Sequence, residues 1–119
     1  CDAIVAAGGN APKGVRPPGG KINDASKAVL AKAGMPSIVW SVDTLDWKTR
    51  NAQKTIDTVL SQVKDGDIVL MHDLYEQSAI AAETLIPELT KRGYQLVTVS
   101  EMAELRGGMA AGHSYGHFR

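Results

Sequence analysis

Asp67-Ile68-Val69-Leu70-Met71-His72-Asp73 is the stretch on which the reading of the fold turns. It is nearly continuously apolar up to Met71, the pattern of a strand covered on both faces in a parallel sheet. Asp65-Gly66 ahead of it is a turn. Residues 77–92 behind it read as a helix, with Ile80, Leu85, Ile86 and Leu89 on one stripe. Pro87 inside that helix removes a hydrogen bond, so a kink or a late start is expected. Further out, Gly93 ends the helix, residues 94–99 read as a strand and residues 100–105 as a short helix.

The N-terminal side repeats the alternation. Residues 2–7 are alanine-rich and suit the end of a helix closed by Gly8-Gly9-Asn10. A short strand is expected around Val15. Asn23 is an N-cap for a helix over 24–33, with Ala28, Val29 and 31–33 partly inward and Gly34 as the stop. Met35-Pro36 breaks the chain, and 37–42 (Ser-Ile-Val-Trp-Ser-Val) is a strand. Asn51 caps a helix over 52–64, where Ile56, Val59, Leu60 and Val63 recur at helical spacing. Strand, helix, strand, helix is the α/β pattern with a parallel sheet.

Bulk properties narrow the classes. At 119 residues there is room for one modest core and not for two domains. With 44% hydrophobic and 22% charged residues the chain falls outside the disordered class. Thirteen basic and thirteen acidic residues cancel, which argues against nucleic acid as a purely electrostatic partner. Cys1 is the sole cysteine, so no internal disulfide forms. No apolar run approaches the roughly 20 residues that span a bilayer. A chain opening on Cys rather than Met is expected to have lost upstream sequence.

In α/β folds functional groups gather at the carboxyl ends of strands. Asp43 and His72 both stand there, directly after 37–42 and 67–71. Asp43 alone reads as a turn former, and His72 alone as a histidine bonded to backbone. Together, a carboxylate beside an imidazole fixes its tautomer and favours the imidazolium, which suits a general acid near neutral pH.

Three segments, Arg16-Pro17-Pro18-Gly19-Gly20, Asp43-Thr44-Leu45-Asp46-Trp47 and Val69-Leu70-Met71-His72-Asp73, resemble the last three motifs of the polysaccharide deacetylase family. This is the NodB-homology domain, carbohydrate esterase 4, and the likeness is strongest to its peptidoglycan N-acetylglucosamine deacetylases. The family's first two motifs, which hold the metal, lie upstream of this chain. The resemblance therefore implies the C-terminal half of a distorted, incomplete (β/α) barrel over residues 1–106, followed by a tail over 107–119. A lone half-barrel is expected to leave sheet edges unpaired beside Val15 or 37–42 and to need its missing N-terminal half.

The resemblance also implies roles. His72 protonates the leaving amine, Asp43 tunes it, and Arg16 orients the catalytic aspartate of the missing first motif. A planar guanidinium suits that task. Leu70 and Trp47 wall the acetyl pocket, or serve simply as core. Pro18 and Gly19 belong to the substrate-binding turn, with the Gly19 N–H as an oxyanion donor. Relatives usually carry an aromatic residue where Gly19 stands, so that groove wall is lost here. Asp46 belongs to the Asp-Trp motif, either facing the site or capping the following loop. Asp73 starts the next loop.

His113-Ser-Tyr-Gly-His117 fits the His-x-x-x-His spacing of a metal motif on a helix. Four neighbouring glycines disfavour that helix, and the segment resembles the family's closing tail, with Tyr115 and Phe118 as anchors. No metal ligand is assigned to this chain. The implied activity is metal-dependent N-deacetylation of N-acetylglucosamine in a polysaccharide, with peptidoglycan the expected polymer. The implied cofactor is a divalent ion, expected to be zinc and held upstream. The protein is expected outside the cytoplasm, secreted or in the cell envelope, and this chain alone is expected to be inactive. Two alternatives stand beside this reading: a non-catalytic carbohydrate-binding or scaffold fragment, and an amidohydrolase of the same fold acting on a small amide.

Overall fold

The computed structural model describes residues 2–118. In chain order these form α1 (Asp2–Ala6), a 3₁₀ turn (Pro18–Gly20), α2 (Asp24–Ala33), β1 (Ser37–Ile38), β2 (Val42–Asp43), α3 (Asp46–Thr49), α4 (Ala52–Gln62), β3 (Val69–Leu70), α5 (Glu76–Lys91), α6 (Val99–Leu105) and β4 (Ser114–Tyr115). Helix ends follow local chemistry. Asn23 Oδ1 accepts from the Ser26 N–H at 2.8 Å to open α2, and Asn51 Oδ1 accepts from the Lys54 N–H at 3.1 Å to open α4. Gly34 closes α2 at φ 75°, a conformation that favours glycine.

The chain divides into two units. The first comprises the described residues through Val39 together with Gly107–Tyr115. Its centre is β1, which is paired on both sides. Ile38 N–H donates to Val15 O at 2.7 Å on one side, and Ser37 and Val39 N–H donate to His113 O and Tyr115 O, each at 2.9 Å, on the other. The unpaired edge expected at 37–42 is therefore absent from β1, because the tail itself supplies the neighbouring parallel strand. Gly112 makes this possible: at φ 77° a Cβ there would lie 2.7 Å from Ala31 Cβ. No residue of α2 is buried and Val29 is 67% exposed, contrary to the inward face expected for it.

The second unit comprises Trp40–Arg106 and the described residues from Gly116 onward. Residues 107–115 thus belong with the first unit and 116–118 with the second. Here β2 and β3 pair in parallel, Val42 opposite Val69 and Asp43 opposite Leu70. The core forms where α4 meets α5, around Ile56, Val59, Ala81, Leu85 and Leu89. The inward stripe of α5 is Ser78, Ala81, Leu85 and Leu89, while Ile80 and Ile86 face outward at 46% and 52% exposure. The helix starts at Glu76 and runs through Pro87, so the late start does not occur.

The strand expected over 37–42 is two short strands. Between them Ser41 Oγ donates to Asp67 Oδ1 at 3.0 Å and accepts from the Ile68 N–H at 3.1 Å. The Ser41 and Val42 N–H also both donate to Ile68 O, at 3.0 and 3.1 Å, so side-chain and backbone bonds mix at this joint, and β3 spans only Val69–Leu70 of the expected 67–71. Residues 94–98 form no ladder among the described residues. Thr98 and Glu101 build a capping box that commits Val99 to α6, ending the expected strand early. Beside this segment lies a cavity of about 300 Å³ lined by Val63, Leu89, Tyr94, Val97, Met102 and Phe118 among others.

Candidate active site

The β2–β3 pair delivers two loops at its carboxyl end. Thr44, 2% exposed, ties them: its Oγ1 donates to Leu70 O at 2.8 Å. Asp43 Oδ1 accepts from the Leu45 N–H at 3.0 Å, an Asx turn that reverses the chain. Leu45 then sits at φ 52°, and Arg50 beyond α3 at φ 45°. Left-handed backbone costs a non-glycine residue roughly 1–2 kcal/mol, and such strain collects at functional loops. Its result here is that the single turn α3 presents Asp46 inward.

Asp46 is 2% exposed and takes four donors. Oδ1 accepts from His72 Nδ1 at 2.8 Å and from the Trp47 N–H at 2.9 Å. Oδ2 accepts from the His72 N–H and from Ser78 Oγ, each at 2.6 Å. Burial alone would push this carboxyl up. The Ser78 hydroxyl, the His72 N–H and the His72 ring outweigh it and hold the group below the ordinary carboxylate value. An ionised carboxylate only accepts, so Nδ1 carries the proton and Nε2 is left for chemistry. The His72 side chain is 29% exposed, enough to meet a substrate from one side.

The carboxylate that meets His72 is therefore Asp46, and the expectation for Asp43 is corrected. Asp43 sits opposite Leu70 in the ladder, and its own turn holds its oxygen. Tyr75 lies 6.4 Å from the His72 ring, tilted, with the Arg50 guanidinium 4.9 Å over its face. Leu70 is 7% exposed and Trp47 47% exposed, so Leu70 packs inside while Trp47 lies open. Arg16, Pro18 and Gly19 belong to the first unit, and all three are exposed. Gly19 has φ 64°, a backbone an aromatic residue rarely adopts.

His113 and His117 flank the strand β4, so no helix brings them to one face. Among the described residues no three His, Cys, Asp or Glu side chains converge as a metal site. No local sequence pattern marks Thr44, Tyr75 or Arg50 as part of this cluster. Ser78 left one signal: it is the sole polar residue on the buried stripe of α5.

No protein-family model matches the sequence. A peptidoglycan-N-acetylmuramic acid deacetylase, PdaC, of Bacillus subtilis is 44% identical over 105 residues, 88% of this chain and 22% of PdaC. A peptidoglycan-N-acetylglucosamine deacetylase, PgdA, of Listeria monocytogenes is 44% identical over 91 residues, 76% of this chain and 19% of PgdA. Among solved structures, T48 deacetylase with substrate superposes at TM-score 0.84 and 36% identity, covering 96% of this chain and 55% of that one. A family 4 acetyl xylan esterase from Clostridium thermocellum, in complex with a cobalt ion, gives TM-score 0.80 at 25% identity over 91% and 54%. The chain thus spans about a fifth of these curated relatives and about half of these solved chains. With these likenesses and the Asp46–His72 pair at the end of a parallel strand pair, the chain belongs to the polysaccharide deacetylases, carbohydrate esterase family 4, and corresponds to part of their barrel domain.

Proposed function

We propose that this chain supplies the acid side and part of the substrate pocket for hydrolytic N-deacetylation of N-acetylglucosamine residues in peptidoglycan. The observation that carries the reading is the buried Asp46 carboxylate on His72 Nδ1 at 2.8 Å. Water oxygen adds to the acetamide carbon, the C–N bond breaks, and His72 Nε2 gives its proton to the departing nitrogen. Asp46 stabilises the imidazolium and keeps its orientation. Trp47 and Leu70 bound the acetyl methyl, and the family resemblance gives the Gly19 N–H to the oxyanion and Arg16 to the catalytic base.

The described residues do not converge as a metal site. The divalent ion, proposed to be zinc, and the base that deprotonates water are assigned to the part of the domain this chain lacks. A peptidoglycan substrate also places the protein outside the cytoplasm, secreted or at the cell envelope.

Acetate release from peptidoglycan and from chitooligosaccharides by the complete domain tests the reading. His72→Ala is expected to lower kcat by roughly 10²–10⁴-fold with little change in KM. Turnover within about twofold of the parent would remove His72 from the role. Release from N-acetylmuramic acid residues alone would move the substrate to the other sugar of the polymer.

A further inference from the structure

We propose that Ser78 is a positioning residue for the deacetylation step, holding Asp46 in the one orientation that offers Oδ1 to His72 Nδ1. The proposal rests on the role assigned to His72 above.

Three elements meet at Asp46. The Trp47 N–H comes from its own turn of helix, and His72 donates from the end of β3. Ser78 alone donates from α5, 32 residues away in the chain and 3% exposed. Asp46 here accepts only, so the hydroxyl hydrogen must point at Oδ2. Without it, Oδ2 keeps one donor, the His72 N–H. A buried carboxylate short of a partner turns about its χ2 towards water or another donor, and that turn carries Oδ1 off the ring nitrogen.

The position itself asks for an explanation. The buried stripe of α5 is otherwise Ala81, Leu85 and Leu89. Alanine would fit the helix better than serine, and a hydroxyl buried there is costly unless bonded. Its bond to Asp46 is the 2.6 Å contact that resolves the cost. Charge-assisted bonds of this length are among the stronger ones.

The test compares Ser78→Ala, Ser78→Cys and Ser78→Thr with His72→Ala in the complete domain, reading kcat, KM and the ¹⁵N signals of the His72 ring. Ser78→Ala and Ser78→Cys are expected to lower kcat about ten- to a hundredfold with KM within about twofold, as expected for loss of one charge-assisted bond. The Nδ1–H signal should broaden or give way to a tautomer mixture. Ser78→Thr restores the hydroxyl and should recover kcat to within about threefold, together with the single-tautomer signal. If Ser78→Ala fails to fold, the Cys and Thr pair decides: equal kcat in both overturns the proposal. A parent-like kcat and ring signal in Ser78→Ala, with His72→Ala inactive, also overturns it while leaving the acid role of His72 intact. An active His72→Ala variant would instead sink the functional reading itself.

Discussion

At the residue scale, Asp46 places two oxygens among four donors, so its ionised form is locked and its protonated form must give up at least one bond. The consequence is a pH dependence of stability with a definite sign. Its folded value lies below the ordinary 3.8, so between the two values the folded state binds fewer protons than the unfolded one. The contribution is complete above the unfolded value and fades as pH falls through the folded one. Asp46→Asn should therefore be less stable than the parent at neutral pH, and the gap should narrow as pH drops from about 5 to 3. Denaturant unfolding at several pH values measures it, and a constant gap would contradict the bonding described. The neighbouring Asp43 behaves differently, because asparagine can still accept from the Leu45 N–H. In the complete domain, if the proposed deacetylation holds, Asp43→Asn is expected to keep acetate release within about threefold, while Asp46→Asn loses it roughly as His72→Ala does. Equal losses in both would return Asp43 to the site.

At the element scale, the caps were legible because each involves residues only three apart. Asn23 and Asn51 read as caps and bond as caps. Asn51→Ala should cost about 1 kcal/mol in denaturant unfolding, since it leaves a first-turn N–H without its side-chain acceptor. No loss would mean that water replaces the cap fully. The helical period of α4 was equally legible, and Ile56 and Val59 are indeed buried. On α5 Leu85 and Leu89 face inward as expected, but Ser78 and Ala81 complete the stripe where Ile80 and Ile86 were expected. Hydrophobicity favours the larger residues, but small Ala81 is what lets α5 approach α4, and it is fully buried. The short strands were harder. Ser41 and Asp67, 26 residues apart, form a side-chain bond beside the backbone bonds to Ile68 O, and no local pattern announces it.

For the molecule as a whole, the tail has structural work in both units. Ser114–Tyr115 pair with β1 in the first, and Phe118 is 6% exposed in the second with its N–H on Gly66 O at 2.7 Å. Phe118→Ala should destabilise by roughly 3–5 kcal/mol, the cost of emptying a buried aromatic site. His117→Ala, at an exposed position, should change stability by no more than about 0.5 kcal/mol. Thermal and denaturant unfolding of the two variants compares them, and similar losses would deny Phe118 its anchoring role. The amino-acid sequence by itself determined the α/β alternation, the bounds of α2 and the capped start of α4, and the three motif segments that place His72 at a strand end. These rest on spacings of a few residues and on backbone preferences that act locally. Only the tertiary structure decided that Asp46 rather than Asp43 meets the imidazole, that Ser78 completes the cluster, and that the tail adds a strand beside β1. Asp43 and Asp46 are both acidic, both near the strand end and three residues apart. What separates them is one left-handed residue, Leu45, whose backbone conformation is set by the Asx turn and by the buried donors that Asp46 finds beyond it.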